Sequence, residues 1–152
     1  IFDISESNIN IIWQTGKLNY ETLSSKYSGA YDNIKLFGFI NEMDKAYASA
    51  DLVVCRAGIS SIMELSFTSK PAVLIPYPFA AENHQEKNAQ VLVERKSGIM
   101  VKEKDINNLL IQEIKRVIYD EELLKILSAN IAKIYDKDAP QKIYKEIKDT
   151  LF

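Results

Sequence analysis

Apolar runs alternate with amphipathic stretches along this chain, the pattern of an α/β domain built on a parallel sheet. Ile9 to Trp13 predicts a first strand, stopped by Gln14-Thr15-Gly16. Tyr20 to Lys26 predicts a helix closed by Ser28-Gly29. Ile34 to Phe37 is a second strand leading through Gly38 into Phe39-Ile40-Asn41, and Met43 to Ala50 a short helix. The run Leu52 to Cys55 reads as a buried third strand. Ser60 to Thr68 is a helix with Ser60 as its N-cap, and Lys70-Pro71 resets the chain for a fourth strand, Ala72 to Ile75. Pro76-Tyr77-Pro78-Phe79 cannot continue a central strand, because two of its four residues lack an N–H. Asn83 is read as the cap of a helix from His84 to Lys96, and Gly98 to Val101 as a fifth strand.

The remainder reads as helical. Leu109, Leu110, Ile114, Val117 and Ile118 share one face, and Leu123, Leu124, Leu127 and Ile131 share another. Ile143, Ile147 and Leu151 form a last stripe behind Pro140, a first-turn proline. The expected fold class is α/β, a Rossmann-like parallel sheet with helices on both faces.

Composition narrows the function classes only slightly. A chain of 152 residues holds one domain and one core, so residues 1–152 are expected to form a single domain. A formal charge of −2 provides no basic field and disfavours nucleic acid as a partner. One cysteine excludes an internal disulfide and a Cys-rich metal site. No run approaches bilayer length and no signal peptide is apparent. The chain opens on Ile-Phe-Asp-Ile without Met, as a piece of a longer protein would.

The candidate chemistry centres on Cys55 to Glu64. Strand, glycine turn and helix start present backbone N–H groups and a positive dipole end to an anion. Glu64, one helical turn after Ser60, would stand beside that anion, where a ribose lies if the anion is a nucleotide diphosphate. In parallel sheets ligands bind outside the carboxyl ends of the strands. Three loops are therefore expected to meet there: Gly38 to Asn41, Arg56 to Ser60, and Pro76 to His84. The bland readings stand beside this one. Glu64 can be a surface carboxylate favoured by the helix dipole, and Gly58 to Ser61 a plain strand-to-helix turn.

Several stretches together resemble the carboxyl-terminal, donor-binding domain of the MurG family of peptidoglycan N-acetylglucosaminyltransferases, family 28 of the GT-B glycosyltransferases. They are Trp13-Gln14-Thr15-Gly16, Phe37-Gly38-Phe39-Ile40 with Met43, Ala50 to Gly58 with Glu64, Lys70-Pro71-Ala72, and Asn83-His84-Gln85-Glu86-Lys87-Asn88-Ala89. The match spans roughly residues 9 to 101 in register. Glu64 then corresponds to the glutamate that accepts from both ribose hydroxyls of UDP, a task that suits a carboxylate. Gly58, Ile59, Ser60 and Ser61 correspond to the turn whose backbone approaches the sugar and diphosphate. Ile40 corresponds to the position whose main chain reads the uracil edge, with Phe39 and Met43 as apolar walls; Phe39 is also expected to pack in the core.

Gln85 corresponds to the glutamine on the N-acetylglucosamine hydroxyls, and His84 can reach the sugar or a phosphate or stay solvated. Asn88 is read as a pin for the loop, Arg56 as facing the diphosphate or bracing loop carbonyls, and Cys55 as a small buried hydrophobe.

The resemblance also implies what is missing. The family's domain opens with a strand and a Gly-Gly-Ser turn, and this chain starts after them, so exposed apolar strand edges and either a partner segment or a distorted site are expected. The acceptor-binding amino-terminal domain, with the general base and the membrane-facing patch, is absent as well, so no catalytic residue is assigned here. The implied activity is that of an inverting transferase moving N-acetylglucosamine from UDP-N-acetylglucosamine to lipid I, giving lipid II. Lipid I and the membrane would be met through the missing domain, in the cytoplasm at the inner face of the bacterial membrane. No metal and no cofactor are implied. Two alternatives remain: a donor-binding subunit of a split, dolichol-linked N-acetylglucosaminyltransferase, and a UDP-hexose-dependent glycolipid synthase.

Overall fold

The computed structural model describes residues 8–151, with the side chain of Leu151 outside the described part. The chain divides into two compact units, Ile1–Ser49 and Ala50–Phe152. In the first, β1 (Ile11–Gln14), α1 (Lys17–Tyr27), β2 (Ile34–Phe37) and α2 (Met43–Ser49) follow one another. The two strands pair in parallel, with Ile11 opposite Ile34 and Gln14 opposite Phe37. Gly16, at φ 77, begins α1, and Gly29, at φ 79, follows its Ser28 cap; both backbones need the left-handed region that glycine enters without cost. Among the described hydrophobic residues of this unit only Ile9 and Ile34 are buried, while Leu18 is 97% exposed.

The second unit holds β3 (Val53–Cys55), α3 (Ile59–Thr68), β4 (Ala72–Leu74), α4 (His84–Glu94), β5 (Ile99–Met100), α5 (Ile111–Ile118), α6 (Glu121–Ala132) and α7 (Ala139–Leu151). Its strands are parallel in the order β3-β4-β5, so β4 is central and all three of its residues are fully buried. Continuous apolar character is what a strand covered on both faces requires. Ile62 and Leu65 of α3, Ala89 and Leu92 of α4, Val117 of α5, and Leu127 and Ile131 of α6 complete the core. Two side chains lock the helical layer to the turns. Ser128 Oγ donates to the Ser69 carbonyl at 2.7 Å, and Asn130 Nδ2 to the Lys96 carbonyl at 3.0 Å.

Several expectations are corrected. The five strands form two parallel sheets among the described residues, rather than one. One expectation agrees with the structure: apolar residues stay exposed on outer strands, Ile12 and Trp13 on β1 and Val54 on β3. Gln14 belongs to β1 instead of ending it, because its peptide still pairs with Phe37. Ser60 does not cap α3: the helix starts at Ile59, and Gly58 takes the cap position with extended backbone. Asn83 stands before α4 in a left-handed conformation, φ 56, and its amide donates to the Glu86 carboxylate at 2.9 Å instead of accepting from the backbone. Residues 103–110 form a 3-10 turn and a π turn before α5 begins. Pro140 does lie in the first turn of α7, but Ile143 and Ile147 of its stripe are 61% and 52% exposed. Phe39, expected to pack, is 60% exposed.

Candidate functional site

Two of the three expected loops come together in the second unit. β3 ends at Cys55, and the chain turns through Arg56 and the fully buried Ala57 to Gly58 and the tip of α3. Arg56 Nη1 lies 3.3 and 3.4 Å from the carbonyls of Ile75 and Pro76, just beyond β4, and its guanidinium also pairs with the Glu103 carboxylate. The same guanidinium lies 5.5 Å from the centre of the Tyr77 ring. Arg56 therefore braces the loops after β3, β4 and β5. From the other side, Asn88 Nδ2 of α4 donates to the Ala57 carbonyl at 3.2 Å. The third loop, with Ile40, belongs to the first unit, where the Ile40 N–H donates to Gln14 Oε1 at 2.8 Å.

Gly58 is the most informative residue of this loop set. Its backbone, φ −70 and ψ 148, suits any amino acid. A Cβ added to it would find no atom within 4 Å. Neither its conformation nor packing against the described residues calls for glycine there. Ile59 is 63% exposed and Ser60 is also exposed, so the helix tip is open to solvent. No side chain caps α3, which leaves its first-turn N–H groups directed outward. Ser61 is half-buried, and Glu64 is exposed, away from the buried face of Ile62, Leu65 and Ser66. Glu64 lies five positions after Ile59, about 7.5 Å along a helix axis. The Glu64 carboxylate also lies near enough to Cys55 to act on its thiol. Burial first, and that charge second, push the half-buried Cys55 up to about 11.

The loop after β4 is held by its own polar contacts. Gln85 Oε1 accepts from the Tyr77 N–H at 3.0 Å, so the carboxamide NH2 is left as the outward donor. His84, exposed at the first position of α4, has Nδ1 2.8 Å from the Ala81 carbonyl. A carbonyl only accepts, so Nδ1 is the donor in this contact and Nε2 is left facing outward from it. Glu86 pairs with Lys102 and receives Asn83, and the hydrogen bond from Lys102 is the main reason its carboxyl is held below the usual range. A cleft of about 290 Å³ opens between these loops, lined by Pro76, Pro78, Glu86, Lys102 and Glu103.

Residues 2–143 match the glycosyltransferase family 28 C-terminal domain. The chain belongs to that family. Family 28 relatives named UDP-N-acetylglucosamine--N-acetylmuramyl-(pentapeptide) pyrophosphoryl-undecaprenol N-acetylglucosamine transferase are similar over nearly the whole chain. The protein of Parabacteroides distasonis is 41% identical over 143 residues, 93% of this chain and 39% of that protein. The protein of Cytophaga hutchinsonii is 38% identical, covering 95% and 38%. This chain thus spans about two fifths of the length of these relatives. Among solved structures, Acinetobacter baumannii MurG superposes with a TM-score of 0.81 at 27% identity, over 92% of this chain and 43% of that one. The glycosyltransferase VinC, solved in complex with dTDP, superposes with a TM-score of 0.69 at 15% identity, over 88% and 32%, and shares the fold. The α/β class and the likeness to the carboxyl-terminal half of GT-B transferases are therefore findings.

Sequence reasoning missed three participants in the family 28 loop cluster. Tyr77 holds Gln85 through its main chain and Arg56 through its ring, and its position between Pro76 and Pro78 was the available signal. Glu103 and Lys102 carried no local signal, because their partners are 47 and 16 residues away in sequence.

Proposed function

We propose that this chain is the donor-binding half of an inverting N-acetylglucosaminyltransferase, acting from UDP-N-acetylglucosamine on lipid I to give lipid II. The observation that carries the reading is Gly58: a glycine that neither its own backbone nor the described residues around it require, at the open N-terminal tip of α3. A ligand that must touch backbone there accounts for it. Family membership and the names of the relatives supply the class of reaction.

In this reading the amides of Ile59, Ser60 and Ser61 face the diphosphate, and Glu64 accepts from the ribose hydroxyls. Gln85 donates to the sugar with the amide group its Tyr77 contact leaves available. His84 offers Nε2 beside it. Ile40 meets the base. Amides aimed at the diphosphate gain strength as charge builds on the departing UDP, so they lower the barrier as well as the dissociation constant. The acceptor, the general base and contact with the inner face of the cytoplasmic membrane belong to further parts of a longer protein. There the present chain serves as one donor domain.

Calorimetry of the intact protein with UDP-N-acetylglucosamine, UDP-glucose and UDP tests this. Glu64→Ala is expected to weaken UDP by roughly 1.5–3 kcal/mol. Gly58→Ala is expected to abolish donor binding while leaving the unfolding free energy level or raised by about 0.4–1 kcal/mol. Two variants with undiminished affinity would remove the turn and the helix from the site.

A further inference from the structure

The bond from the Ile40 N–H to Gln14 Oε1 joins the carboxyl end of β1 to the loop after β2. A peptide N–H can only donate, so the acceptor end of the carboxamide is the one turned toward it. A primary carboxamide sets an acceptor C=O beside a donor NH2. The imide edge of uracil sets an acceptor C=O beside a donor N–H. To a peptide group the two are interchangeable.

Both partners are held where they meet. The Thr15 N–H and hydroxyl donate to the Phe37 carbonyl at 2.8 and 3.2 Å, fixing the strand ends beside Gln14. Gly38 passes so close to Tyr20 that an added Cβ would stand 3.4 Å from the Tyr20 Cβ, which sets the path of the chain into Ile40. The parallel register places Ile12, Gln14, Lys35 and Phe37 on one face. Ile12, Phe37, Phe39 and Ile40 border a cleft of about 420 Å³. Gln14 is itself exposed, so its side chain can swing into solvent without opening a core.

We propose that Gln14 is an internal stand-in for the nucleobase. Its carboxamide occupies the Ile40 N–H in the free protein and yields that donor when the imide edge of a uridine nucleotide binds. This rests on the reading above that Ile40 meets the base, and deepens it: base binding is the exchange of one amide for another at the same peptide. Gln14 is then a residue that sets donor affinity, acting against it by the strength of the bond it must surrender.

The test is calorimetry of the intact protein with UDP, paired with the amide resonance of Ile40. Gln14→Met keeps the length and loses the acceptor, and is expected to tighten UDP roughly 3- to 10-fold, the net worth of one hydrogen bond. Gln14→Glu keeps an acceptor and charges it, strengthening the contact to be broken, and is expected to weaken UDP at least as much. In free Gln14→Met the Ile40 amide proton moves upfield to a water-exposed position and returns downfield when UDP is added. Equal or weaker UDP binding by Gln14→Met, or an Ile40 resonance unmoved by that change, overturns the proposal and leaves Gln14 a brace of its loop. A wild-type protein that binds no UDP overturns the donor reading itself, and this proposal with it.

Discussion

The carboxamide of Asn88 holds the carbonyl of Ala57 at 3.2 Å, so α4 fixes the peptide that immediately precedes Gly58. Ala57 has no exposed surface, which leaves its carbonyl few other partners. Asn88→Ala is expected to cost about 1–3 kcal/mol of stability, the penalty of a polar group left unsatisfied. It is also expected to raise the donor KM several-fold with kcat at saturation nearly kept, because the turn is loosened and no reacting group is removed. Chemical denaturation and steady-state kinetics together check it. A variant with wild-type KM would separate Asn88 from the site.

Cys55 and Glu64 give a chemical probe of the same region. With its thiol pushed up to about 11 from an ordinary 9.0, Cys55 is protonated at neutral pH. Alkylation by iodoacetamide at pH 8 is expected to run roughly 100-fold slower than for an unperturbed thiol, in proportion to the thiolate available. Glu64→Gln removes the second cause and is expected to speed the reaction, while an unaltered rate would place the carboxylate elsewhere. The linkage has a definite sign. A raised thiol contributes stability below its unfolded value of 9.0, and that contribution is lost as the pH rises through about 11.

The ion pairs beneath the loops predict an acid limb. Hydrogen bonding from Lys102, then from Asn83, lowers Glu86, and hydrogen bonding from Arg56 lowers Glu103, both from an ordinary 4.5. Depressed carboxylates contribute above their unfolded value and lose that contribution as the pH falls through the folded one. Donor KM is therefore expected to climb below pH 4.5, and less steeply at high salt, because salt screens these solvent-facing pairs and leaves less contribution to lose. Glu103→Gln should reproduce the climb at neutral pH. A KM that stays flat down to about pH 3, below the ordinary carboxylate range, would dissociate the pairs from donor binding.

The core prediction concerns Leu74 and Gly98. Leu74 is fully buried on the central strand, and Leu74→Ala is expected to cost about 2–5 kcal/mol. A Cβ at Gly98 would stand 3.3 Å from Leu74 Cδ1 and 3.4 Å from Leu92 Cβ, so Gly98→Ala is expected to cost about 1–3 kcal/mol by crowding. In the double variant the truncated leucine makes room for the added methyl, and the sum is expected to fall short of the two single costs. Strict additivity in denaturant titrations would show that the crowding is relieved elsewhere.

Local chemistry determined a good deal of this protein by itself. The alternation of apolar runs and amphipathic stretches located every strand among the described residues and most of their helices, because burial on a parallel sheet demands continuous apolar runs of short length. Pro76 and Pro78 marked the loop after β4, since neither can donate to a ladder. Glycine followed by serines and a carboxylate one turn on marked the α3 tip, and family motifs in the same loops pointed to the same chemistry.

Tertiary structure decided the rest, for reasons no local pattern contains. Whether Gly58 is needed by the protein depends on what lies within 4 Å of it, and that is a property of the packed chain. The braces of Arg56 on Ile75, Pro76 and Glu103 join residues far apart in sequence, as does the bond of Ile40 to Gln14. Ser60 and Asn83 are both good capping residues by composition, yet neither side chain caps, because the backbone entering each helix sets where the first turn starts. Hydrogen-bonding capacity is written in the side chains, while the choice of partner is made by the fold that brings donor and acceptor to within 3 Å or so of each other.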